Sequence, residues 1–158
     1  MVFLEPEQEL EPIVVKVFVD ATLRNTCAAW GAVAFVGGRK PHVMSGQLPR
    51  RKNTNILEML ALQRAEIVVQ RWLRRHGLRA RLLILHSDNQ GIAEQMAAKY
   101  GKRKLVYRWL AREHPAMRLA HRVAKVSCTA AISNHLSTKR LIDKSCPTVG
   151  SATGAMLA

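Results

Sequence analysis

Acidic residues are scarce in this chain. Of 158 residues, 25 are Lys or Arg and 11 are Asp or Glu, a formal net charge of +14. Such an excess of cations on a folded domain points to a polyanion partner, most often nucleic acid. Cysteine is scarce too. Cys27, Cys128 and Cys146 are odd in number, far apart and without C-x-x-C spacing, so neither a disulfide framework nor a zinc site is indicated, and buried or idle thiols are expected. No run of about 18 apolar residues is present, which excludes a membrane-spanning helix. The acidic opening (Glu5, Glu7, Glu9, Glu11) is the opposite of a signal or transit peptide. The expected product is a soluble intracellular protein, with nothing to separate nucleus from cytoplasm. A phosphate-cradling Gly loop, a G-x-S-x-G elbow, an H-E-x-x-H helix and internal repeats are all missing.

What is present is an apolar content of 48%, normal for one domain that builds its own core. Residues 1–12, acidic and carrying Pro6 and Pro12, read as a flexible lead-in. Residues 13–146 read as the folded domain and 147–158 as a flexible tail of small residues. Beyond the lead-in, seven acids remain: Asp20, Glu58, Glu66, Asp88, Glu94, Glu113 and Asp143. A site assembled from several of them would be a negative point in a positive field, suited to a divalent cation at a phosphate backbone.

Two stretches deliver such acids at the ends of buried strands. Ile13 to Val19, β-branched on both faces, runs into Asp20, and Arg81 to His86 runs into Ser87-Asp88-Asn89. Strands buried on both sides have this composition, and ligands gather at their carboxyl ends. Between them, Ala28 to Val36, the Gly37-Gly38 hairpin signal and Pro41 to Leu48 complete an antiparallel meander. Thr54 or Asn55 is the expected cap of a long helix whose apolar residues, from Leu57 to Trp72, recur at helical spacing, and Gly77 ends it. Glu58 is placed in its first turn, where an acid can also serve merely as a partner of the helix dipole. Asp88 or Asn89 would cap a second helix, Gln90 to Tyr100.

Farther on, Gly101 to Arg112 reads as a basic helix, with Lys102, Arg103, Lys104, Arg108 and Arg112 around Tyr107 and Trp109. Cations beside aromatic rings suit phosphates and bases, although Trp109 by itself reads as core. Arg118 to Cys128 is expected to form the last strand, Thr129 to Ser137 a loop, and Thr138 to Cys146 a short helix bearing Asp143. Three carboxylates on two strand ends and a helix suit Mg²⁺ or Mn²⁺ and metal-dependent phosphodiester hydrolysis.

The motifs VFVDAT with a following WGA at Trp30 to Ala32, NTNILEMLAL around Glu58 and LHSDNQ around Asp88, in that order, resemble type 1 ribonuclease H. They are most similar to the domains fused to reverse transcriptases of retroelements and hepadnaviruses. The resemblance implies an α/β fold, a mixed five-stranded sheet of three antiparallel strands and then parallel strands, flanked by helices. It implies a Mg²⁺-dependent endonuclease in which Asp20, Glu58 and Asp88 bind two ions and the RNA strand of an RNA–DNA hybrid is cut. Asn55, Asn89 and Gln90 fall where the family touches the hybrid. A reverse transcriptase is implied as an associate or ancestor.

The family also has a fourth acid, on a C-terminal helix, often in a pattern like N-x-x-A-D. Here Asn134 is followed by Ser137 where that Asp would fall, and the next acid is Asp143. Either Asp143 supplies the fourth ligand or the fourth ligand is absent. His121 and His135 are candidates for a mobile histidine that some members carry. The competing readings are a nucleic-acid-binding module with impaired catalysis, which the departure at the fourth position favours, and a basic structural or ribosomal protein, against which the convergence of acids counts.

Overall fold

The computed structural model describes residues 11–145, with side chains described over 12–130. The chain runs β1 (Glu11–Arg24), β2 (Cys27–Val36), β3 (His42–Leu48), α1 (Thr54–Arg75), β4 (Leu78–Ser87), α2 (Gln90–Tyr100), β5 (Leu105–Trp109) and α3 (Pro115–Ser145). The strands form one sheet in the order β3-β2-β1-β4-β5. β1–β2 and β2–β3 are antiparallel, whereas β1–β4 and β4–β5 are parallel. The mixed five-stranded sheet flanked by helices is the architecture expected from the sequence.

Strand alternation gives the sheet two faces. Val15, Val17 and Val19 of β1, with Trp30 and Ala32 of β2 and Leu85 of β4, share the main core with Leu57 and Leu62 of α1 and Met96 of α2. Burying one such leucine contributes about 1.5–3 kcal/mol. The alternate residues turn to α3. Phe18 packs with Ala116, Met117 and Ala120, and Ala29 packs beside Cys27 and Cys128.

Around Gly31 the residues of this second face are small, and that lets α3 lie close to the sheet there. A Cβ added to Gly31 would overlap the Ala124 backbone nitrogen and stand 2.7 Å from the Ala120 carbonyl oxygen. The start of α3 is seated separately: Pro115 takes the first helical position, where its missing N–H costs nothing, and the Ala116 N–H donates to His114 Nδ1 at 3.2 Å. The His114 ring stacks on Phe18 at 5.6 Å.

Several expectations are corrected. The expected basic helix at Gly101 to Arg112 contains β5. Its alternating Leu105 and Tyr107 pair with β4, and the cations around them obscured that pattern. The expected strand at Arg118 to Cys128, the loop at Thr129 to Ser137 and the short helix beyond it, as far as Ser145, are all parts of α3. Its inward positions are Ala116, Met117, Ala120, Ala124 and Cys128, a helical repeat written mostly in small residues. The cap of α1 is Asn53, whose side chain accepts the Asn55 N–H at 2.9 Å, rather than Thr54 or Asn55. Gly77, at φ 66°, follows that helix as expected.

Cys27 and Cys128 are not idle thiols but a disulfide between the start of β2 and α3, with Cα atoms 5.7 Å apart. Cys146, the lead-in up to residue 10 and the expected tail at 147–158 lie outside the described residues. Among the described residues no helix is long and apolar enough to cross a membrane.

Candidate metal centre

β1 and β4 are parallel neighbours, so their carboxyl ends lie side by side, and α1, which joins β3 to β4, starts at the same end of the sheet. Asp20 stands on β1 opposite Gly31 and is 1% exposed. Asp88 follows the last residue of β4 directly. Glu58 lies one turn into α1, since no acid occupies the first turn, which removes the helix-dipole role as an account of it. One carboxylate oxygen from each of the three lies within 4.8 Å of the others.

Burial and repulsion from neighbouring acids push Glu58 and Asp20 toward their neutral forms. Burial pushes the Glu58 carboxyl up to about 8, and the charges of Asp20 and Asp88 add to it while Arg112 opposes. Asp20 is also raised, first by burial, against a lowering hydrogen bond from His121. Its Oδ1 is buried without a partner. An orphaned carboxylate oxygen among crowded acids is costly unless a cation completes it. The donors are hard oxygens, and a divalent ion would discharge all three. The residues therefore fit a metal such as Mg²⁺.

Beside the acids lies a cleft of about 650 Å³, lined in part by Thr22, Glu58, Asp88, Gln90, Trp109 and Arg112. Arg112 Nε donates to Asp88 Oδ2 at 2.7 Å. The Trp109 indole N–H donates to the Asp88 carbonyl at 3.2 Å. Trp109 is 51% exposed, so its reading as core is corrected. Of the polar residues expected to touch substrate, Asn89 Nδ2 donates to Asn55 Oδ1 at 3.1 Å, while Asn89 Oδ1 accepts the Ile92 N–H and caps α2. Gln90 borders the cleft and donates to Glu94.

A histidine from the second face of the sheet also reaches the acids. His121 Nδ1 lies 2.5 Å from Asp20 Oδ2, so this histidine belongs to a helix and touches the site. Asp143 is also on α3, roughly six turns beyond His121. The side chains of Asp143, Asn134 and His135 lie outside the described ones. Sequence reasoning also left Trp109 and Arg112 off the site, though both belonged to the cation-and-aromatic stretch it had singled out. His121 was named only as a candidate for a mobile histidine, in a segment expected to be a strand rather than part of α3.

No family model matches the chain, and no curated protein sequence matches it. Solved structures do match in fold. LC11 ribonuclease H1, isolated from compost by a metagenomic approach and solved with an RNA/DNA hybrid, shares 18% identity, covers 75% of this chain and 99% of its own, and has a TM-score of 0.60. The N-terminal ribonuclease H domain of a Mycobacterium tuberculosis protein shares 17% identity over 75% of this chain and 99% of that one, with a TM-score of 0.55. The prototype foamy virus protease-reverse transcriptase shares 12% identity over 78% of this chain and 22% of that one, at 0.50. The chain has the type 1 ribonuclease H fold.

Proposed function

We propose that this protein is a divalent-metal-dependent endonuclease that hydrolyses the RNA strand of RNA–DNA hybrids. The observation that supports it most is the meeting of Asp20, Glu58 and Asp88 at one point, with an unpartnered buried oxygen on Asp20. Asp20, Glu58 and Asp88 would hold the cofactor, Mg²⁺ or Mn²⁺. Bound divalent cations supply activation of the attacking water and stabilisation of the leaving oxygen of a phosphodiester. The remaining residues bind and orient. Arg112 fixes the Asp88 carboxylate and adds a cation at the cleft, Trp109 offers an exposed ring face to a base or sugar, and the linked Asn55–Asn89 pair, with Gln90, offers amides to the hybrid.

Hybrid recognition rests on groove shape and 2′-hydroxyls rather than base edges, so no target sequence is expected. With a net charge of +14, affinity should fall steeply with salt. The motif resemblance to reverse-transcriptase domains supports a retroelement origin. An end-labelled RNA–DNA hybrid incubated with protein and Mg²⁺ tests the activity. Cleavage confined to the RNA strand and lost in Asp20→Asn is expected. Hybrid binding without cleavage would instead support a binding module, the reading that Ser137 in place of the family's fourth Asp favours.

A further inference from the structure

Three carboxylates meet at the cluster, and an imidazole from α3 contacts one of them. His121 Nδ1 contacts one oxygen of Asp20 at 2.5 Å, while the other oxygen of the same buried carboxylate has no partner. Backbone packing on both sides of His121 fixes its position. One residue earlier and three later, Ala120 and Ala124 lie against Gly31, the residue paired with Asp20 across the sheet. Seven residues earlier His114 stacks on Phe18, and seven later Cys128 is joined to Cys27. α3 is thus seated at three points around His121. Asp143 lies roughly six turns farther along the same helix, its side chain outside the described ones.

Resting on the metal-nuclease reading above, we infer that His121 is the fourth ligand of the metal centre, donating through Nδ1 beside Asp20. The donor set is then three carboxylates and one imidazole, where the resembling family has a fourth carboxylate. Two consequences follow from ligand chemistry. A neutral imidazole lowers the negative charge of the donor set by one relative to Asp. It also shifts preference from Mg²⁺, which favours oxygen donors, toward Mn²⁺ and other transition ions, which accept nitrogen readily. A histidine that only hydrogen-bonds Asp20 would position that carboxylate without binding metal and would leave the preference unchanged.

Mn²⁺ titrated into the full-length protein without nucleic acid separates these possibilities. Pulsed electron paramagnetic resonance reads nitrogen bound directly to Mn²⁺. The expected result is an imidazole nitrogen coupling in wild type that disappears in His121→Asp while Mn²⁺ stays bound. Calorimetry should show that His121→Asp raises Mg²⁺ affinity relative to Mn²⁺ by about tenfold, and that His121→Ala weakens Mn²⁺ by about tenfold. Mn²⁺ bound at the cluster, as shown by its loss in Asp20→Asn, but without nitrogen coupling, would overturn the ligand role and leave the metal-nuclease reading intact. Failure of Mn²⁺ to bind, or binding indifferent to Asp20→Asn, would overturn that reading and the inference with it.

Discussion

Replacing Glu58 by Gln should stabilise the metal-free protein at alkaline pH and abolish its stabilisation by metal. The Glu58 carboxyl is pushed from 4.5 up to about 8, first by burial and then by Asp20 and Asp88. Between those values the folded protein holds a proton at Glu58 that the unfolded chain has released. Stability from this group is therefore full below pH 4.5 and is lost as pH rises through about 8. At about 1.4 kcal/mol per tenfold, the gap has a ceiling of about 5 kcal/mol. Glu58 opens partly onto the cleft, and water there screens the charge, so about 1–3 kcal/mol is the expected size.

Gln has nearly the same volume and no charge to bury, so the variant should escape this loss. Urea unfolding followed by circular dichroism, at pH 5 and pH 8.5 in chelator, reads the difference. Wild type should weaken between the two values by about 1–3 kcal/mol more than Glu58→Gln. In excess Mg²⁺ the order should reverse, because a ligand that binds only the folded state stabilises it by mass action and the variant has lost one ligand. Equal pH dependence of the two proteins in chelator, or a variant less stable than wild type at pH 8.5, would refute the argument that the site is strained by its own negative charge.

Gly31→Val should cost about 1–3 kcal/mol in urea unfolding, because its side chain would enter the backbone of α3. Gly38→Ala, where nothing lies within 4 Å, should cost under about 0.5 kcal/mol and serves as the control. Trp109→Ala should weaken hybrid binding by about tenfold in fluorescence anisotropy, with Trp109→Phe retaining most of the affinity, since the exposed ring face rather than the indole N–H is the proposed contact. Equal binding by Trp109→Ala and wild type would remove that residue from the substrate surface. Asp143→Asn should leave the cleavage rate near wild type, because the imidazole beside Asp20 already fills the fourth position; a loss of a hundredfold or more would return that position to Asp143.

The parts of the fold that sequence made legible are those where burial uses large side chains. Val15, Val17 and Val19 before Asp20, and Leu83, Ile84 and Leu85 before Asp88, are buried, and each run ends in its acid as read. α1 was legible for the same reason, through Leu57 and Val69, while Leu62 and Leu73, equally buried, add to the stripe in the structure. β5 was hidden by brevity and by charge. Its one buried residue, Tyr107, donates its hydroxyl to Glu66 at 3.2 Å, while Arg108 and Trp109 face out. α3 was hidden because alanine marks its buried stripe. In Arg118 to Cys128 the same letters allow a strand, and only the close fit against Ala29 and Gly31 settles the question in favour of a helix. A fit of that kind depends on residues about a hundred positions away, which no local pattern contains.

The order in which elements deliver the site also separates two kinds of sensitivity. Asp20 and Asp88 come from paired parallel strands, and Glu58 comes from the helix that leads into the second of them. The strands and helix that carry these three are packed into the main core, although the Asp20 carboxylate itself also meets His121. His121 arrives from that opposite face, on a helix held by contacts between small residues, the Cys27–Cys128 disulfide and one aromatic stack. Substituting an acid changes the charge of the centre and leaves the scaffold standing. Loosening α3, at Gly31 or by reducing the disulfide, should instead keep the three acids together while withdrawing the fourth group. The centre is thus divided between a rigid part that collects negative charge and a packed helix that determines which metal the charge receives.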